Sequence, residues 1–147
     1  MTKKTRNDLF YVCSLIEYLG RKTYNRRGVI VDFLGTEGIA KQLRDAEVNH
    51  CLSFEQVSDE LIASYGISNG QFDTISGCEY SIPSYTDIGK LYTIMIADCA
   101  DEGKEIQELE NIFKSFISDE ISDFRTGLYY QNPDYLEWSY REGKLLA

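Results

Sequence analysis

Gly28-Val29-Ile30-Val31-Asp32-Phe33-Leu34-Gly35 admits two readings, and the fold class turns on which is taken. Val29-Ile30-Val31 is a β-branched run that suits a strand, whereas Val29, Ile30, Phe33 and Leu34 are spaced as the apolar side of a helix. No later stretch of similar β character follows to pair with it. We therefore read a short helix, capped at Asn25 and ended by Gly35, and with it an all-α chain.

The flanking segments follow the same period. Upstream, Asn7 is positioned to cap a helix from about Asp8 to Gly20, with Leu9, Val12, Cys13, Ile16 and Leu19 on one face; residues 1–6 are expected to be disordered. Downstream, Thr36 opens a helix to about Val48, with Ile39, Leu43 and Ala46 inward. Ser53-Phe54-Glu55-Gln56 is a capping box preceded by Leu52 as a staple, so the next helix runs to Tyr65 and stops at Gly66. Ser84-Tyr85-Thr86-Asp87 starts another, whose core face is Ile88, Leu91, Met95 and Cys99. A long seam from Ile106 to Leu128 then predicts helix with a break near Ser118-Asp119 or Gly127. Asn132-Pro133-Asp134 opens a last helix carrying Tyr135, Leu136, Trp138 and Tyr140 to Gly143. The expectation is a single helical domain over residues 1–147, a compact bundle of six or seven helices. Between 67 and 83 the periodicity lapses into turn chemistry, and a loop of that length tends to be functional. Ile75 to Ile82 leaves room there for one short β-hairpin.

A chain of 147 residues can bury roughly two thirds of its unfolded surface in one core. Its formal net charge of −9 makes nucleic acid and anionic membranes unfavoured partners. The signs are segregated: Met1 to Arg44 holds nine Lys or Arg against four Asp or Glu, and Asp45 to Ala147 holds six against twenty. Self-association of a basic face with an acidic one would exploit that asymmetry. Cys13, Cys51, Cys78 and Cys99 are widely spaced and show no Cys-x-x-Cys pair, as reduced thiols of a cytoplasmic protein do. No apolar run reaches the length of a membrane span. Phosphate-loop, dinucleotide-binding, metalloprotease and nucleophile-elbow motifs are all missing, so no cofactor or metal is expected and no enzyme class is favoured.

Three groups of residues are candidates for function. The first is the glycine-bracketed turn Gly20 to Gly28, in which Arg21, Lys22, Arg26 and Arg27 surround Tyr24. Cations after a helix C-terminus satisfy its last carbonyls, which is a purely structural role; the same residues exposed would anchor an acidic partner. The second is the aromatic C-terminus, where Tyr135 and Trp138 suit either a lid over the core or an interface. The third is a pocket formed by His50, Cys51, Cys78 and the 67–83 loop, the arrangement a small enzyme or small-molecule binder would use. Neighbours in sequence such as His50 and Cys51 point in different directions, and a half-buried histidine between helices is the simpler expectation. Asp119, Glu120 and Asp123 form an acidic cluster that serves as a solvated face or as the complement of the basic turn.

The stretch from Leu9 to Thr23, with Asn49-His50-Cys51, Val57-Ser-Asp-Glu-Leu61, Phe116-Ile-Ser-Asp-Glu-Ile-Ser-Asp-Phe124 and Ser139-Tyr-Arg-Glu-Gly143, resembles a family of short bacterial proteins. The resemblance spans nearly the whole chain, consistent with one domain, and implies no activity, cofactor or catalytic residue. Such proteins are associated with clusters of small genes, some of toxin and neutraliser type, which implies a protein partner. The expectation is an interaction module that binds through the basic turn and the aromatic C-terminus.

Overall fold

A computed structural model describes residues 1–147. Seven α-helices and one 3-10 turn make up the fold: α1 (Lys3–Thr23), α2 (Arg27–Asn49), α3 (Phe54–Tyr65), α4 (Tyr85–Cys99), α5 (Glu105–Phe113), α6 (Phe116–Ser122), the turn Leu128–Tyr130, and α7 (Pro133–Glu142). No strand is present, so Val29-Ile30-Val31 is helical and the hairpin expected between 67 and 83 does not form.

The helix at the centre is α1. Leu9, Val12, Cys13, Leu15, Ile16 and Leu19 are all fully buried, and Tyr11 and Ser14 nearly so. A helix covered around most of its circumference must be enclosed by others. Here α4, α2 and α3 do the enclosing, while α5 and α6 pack on α2, and α7 packs on α4 and α6. All 27 buried apolar residues belong to one core cluster. Each large aliphatic side chain in it contributes about 1.5–3 kcal/mol through burial.

Local chemistry explains most of the boundaries. Ser53 and Gln56 form the expected capping box, and Gly66 closes α3 in the left-handed conformation. Ser84 accepts from the Asp87 amide at the start of α4, and Asn132 accepts from Asp134 at the start of α7. Four boundaries differ from expectation. Thr2, rather than Asn7, caps α1, so Lys3 to Arg6 form its first turn in a stretch expected to be disordered. Asn25 caps nothing; its amide donates to Thr23 Oγ1 and the Ser68 carbonyl, both at 2.9 Å. The two helices expected on either side of Gly35 are one element kinked there, at φ 69° and ψ 172°, a conformation essentially confined to glycine. The long seam breaks after Phe113, five residues before Ser118, where the Gly28 backbone lies against the Phe113 carbonyl and Lys114.

The 67–83 segment is fastened to the basic turn instead of pairing with itself. Gly70 N donates to the Thr23 carbonyl (2.8 Å) and Phe72 N to the Tyr24 carbonyl (2.9 Å). Asp73 Oδ1 accepts from the amides of Ile75 and Ser76, which curls the chain where a strand would have to run straight. Ile67 is buried, and Ile75, Cys78 and Ile82 lean on the core. No helix is long and apolar enough to cross a membrane.

Candidate functional site

The turn between α1 and α2 is organised by Glu17, a fully buried carboxylate that sequence reasoning passed over. Arg27, only 1% exposed, grips it with both teeth of its fork: Nε donates to Oε1 and Nη2 to Oε2, each at 2.9 Å. Arg21 Nε adds a third bond to Oε2 at 2.8 Å. Burial pushes the Glu17 carboxyl up, but the Arg27 and Arg21 guanidiniums outweigh it and hold it below the ordinary carboxylate range. Arg27 Nη1 also donates to the Asn25 carbonyl, and Arg21 Nη2 to the Pro83 carbonyl. Gly20 makes the arrangement possible, because a Cβ there would collide with the Arg27 side chain. The signal in sequence was Glu17 as the one charged residue between Leu9 and Gly20.

The turn therefore divides into internal and external residues. Arg27 and Arg21 belong to the interior network, and Arg27 cannot serve as the exposed anchor expected of it. Lys22 is half-buried, 2.7 Å from Asp59 Oδ1. Arg26 is 58% exposed at its side chain and reaches Asp119 Oδ2 at 3.3 Å, so the acidic cluster is in part the turn's complement within the same molecule. The Arg26 guanidinium lies 4.7 Å from the Phe72 ring centroid. Tyr24 is 44% exposed and is the one non-glycine residue with positive φ, at 57°. With Val29 and Phe72 these two side chains border a shallow surface groove of about 280 Å³.

The aromatic C-terminus is mostly a lid. Tyr135 Oη donates to the Leu146 carbonyl and Tyr140 Oη to Glu108 Oε2, both at 2.8 Å. Trp138 stays exposed, with Arg141 over its ring at 5.4 Å.

The third group assembles only in part. His50 is the exposed C-cap of α2, not a histidine half-buried between helices, and its Nδ1 lies 4.0 Å from Cys51 Sγ, so these two neighbours, expected to point apart, turn towards each other on the surface. Cys78 lines a separate depression with Asp73, Asp123 and Arg125. Instead His50 borders a groove of about 640 Å³, whose other walls include Lys4, Asp8, Phe10, Tyr11 and Phe54. The 67–83 loop takes no part in it. Cys13 is enclosed, and burial pushes its thiol up to about 12, which removes it as a nucleophile. Comparison of the chain with protein-family models, with curated proteins and with solved structures found no match. The surface is thus read from its own chemistry.

Proposed function

We propose that the chain is a cytoplasmic protein-binding module whose contact surface is the outer part of the α1–α2 turn: Tyr24, Arg26, Val29 and Phe72. The observation that carries this reading is Tyr24, a bulky residue held at φ 57° on the surface where glycine would be free of strain. Strain of that kind is retained where the side chain has work that its backbone position does not reward. Tyrosine, phenylalanine and arginine are enriched at interfaces, and tyrosine and arginine among the residues that carry their binding energy. Arg26 is held only at the surface, by Asp119 and the Phe72 ring, so the partner would present a carboxylate to Arg26 and an apolar side chain to the groove. Four free thiols support a reducing compartment, and the resemblance to short bacterial proteins supports a protein partner.

The test is co-purification from the native host with Arg26→Glu and, separately, Tyr24→Gly. Both variants should lose the partner, while far-UV circular dichroism stays unchanged. Retention of the same partners by both would overturn the reading. A second reading, a small-molecule binder, draws on the His50 groove, whose volume is within the usual range for ligand pockets. It predicts a bound metabolite in native mass spectrometry that Phe54→Ala releases and Arg26→Glu does not.

A further inference from the structure

At the far end of α4 from the Arg21–Pro83 contact, three carboxylates meet where the end of α4 faces the start of α7. Asp98 is the penultimate residue of α4, and Asp134 and Glu137 stand one turn apart on α7. An oxygen of each lies within 4.8 Å of the others. Clustered acids on a surface are common and mean little alone. The distinctive member is Glu137. It is only 6% exposed, its Oε1 is sealed from solvent, and that atom has no hydrogen-bond partner. Left ionised and unpaired, a buried carboxylate costs several kcal/mol, so this group takes either a proton, which it can share with Asp98, or a counter-charge.

Arg141 supplies the counter-charge only in part: its charge lowers the Glu137 carboxyl but is outweighed by burial and by Asp98. Arg141, one turn beyond Glu137, donates to the Asp98 carbonyl (3.3 Å) and to Cys99 Sγ (3.6 Å), and covers the Trp138 ring. It forms no ion pair with any of the three carboxylates.

We propose that Asp98, Asp134 and Glu137 hold a hard divalent cation, Mg²⁺, Mn²⁺ or Ca²⁺, that clasps α7 to the end of α4. All three ligands are carboxylate oxygens, which select hard cations over zinc or copper, and the exposure of Asp98 and Asp134 leaves water to complete the coordination. Without a cation, burial and the neighbouring Asp98 push the Glu137 carboxyl up to about 8, so proton and cation compete for the same oxygens. The site is independent of the surface around Tyr24.

The experiment uses the full chain after treatment with a chelator, at pH 7.5. MgCl₂, MnCl₂ and CaCl₂ are titrated separately, with NaCl at matched ionic strength as control. Thermal unfolding and the fluorescence of Trp138, the only tryptophan and the neighbour of Glu137, are followed together. At least one divalent cation should give a saturable fluorescence change and raise Tm by roughly 5–10 °C at a hundredfold excess over Kd. At pH 5 the effect should weaken. Glu137→Gln should abolish it while keeping the side chain's volume; if that variant fails to fold, Asp98→Asn, at an exposed position, should abolish it instead. No saturable response to any of the three ions, a response that NaCl reproduces, or an undiminished response in the folded variant would overturn the proposal.

Discussion

Arg27 is a full guanidinium in the core, and its charge is matched there by Glu17. Removing one partner of a buried pair leaves the other unpaired. Arg27→Ala should therefore cost about 3–5 kcal/mol, read as a lower urea midpoint. Replacing both partners, as Glu17→Leu with Arg27→Met, should recover most of that loss, since apolar residues of similar volume carry no desolvation penalty. Arg26→Ala, one residue away at the surface, should change stability by less than about 0.5 kcal/mol. Gly20→Ala should resemble Arg27→Ala, because its methyl would occupy the space of the guanidinium. Sequence marks only one side of this pair, Glu17 as the one charge between Leu9 and Gly20, and does not name its partner. A cluster of four cations shows where charge lies, but only the packing of α1 against α2 shows that one of them faces inward to a carboxylate ten residues back.

At the scale of elements, the chain is punctuated by local signals, and those signals were readable. Ser53 with Gln56, Ser84, Asn132 before Pro133, and the glycines 66 and 143 act through bonds within four residues, so sequence alone locates them. Ser53→Ala should cost about 1 kcal/mol, measurable in chemical denaturation. Gly35→Ala should cost about 1–3 kcal/mol, since alanine does not share glycine's access to the backbone angles of the α2 kink. Where boundaries were misread, a distant contact decided them. The break after Phe113 lies where Gly28 passes, and Asn25 turns from capping to bridge Thr23 and Ser68. The start of α1 was misplaced for another reason: the apolar period begins at Leu9, but Thr2 caps the backbone and Lys4 pairs with Asp8, so the helix extends a polar turn and more beyond the core.

Across the whole molecule, folding brings some of the segregated charges together. Lys22 meets Asp59 and Arg26 meets Asp119, so cations of the basic segment pair with acids of the acidic one within one chain. Two carboxylates of opposite tendency shape the response to pH. Glu17 is held below the ordinary carboxylate range, so its stabilisation is present above that range and is lost as pH falls through the depressed value. Glu137 is raised to about 8, so without a cation the folded chain retains a proton that the unfolded chain releases, and stability declines as pH rises from the ordinary carboxylate range through about 8. Thermal unfolding of chelator-treated protein should show both limbs. Glu137→Gln should flatten the alkaline limb alone.

The bonds from Gly70 and Phe72 to Thr23 and Tyr24 have a kinetic corollary. The 67–83 segment has no regular structure of its own, yet two of its amide protons are shielded by a turn nearly fifty residues earlier in the chain. In hydrogen–deuterium exchange those two amides should exchange at the opening rate of the α1–α2 turn and slow or quicken with it. The loop thereby becomes a built-in clock for the turn, and a partner that grips Tyr24 would announce itself first as protection at Gly70 and Phe72.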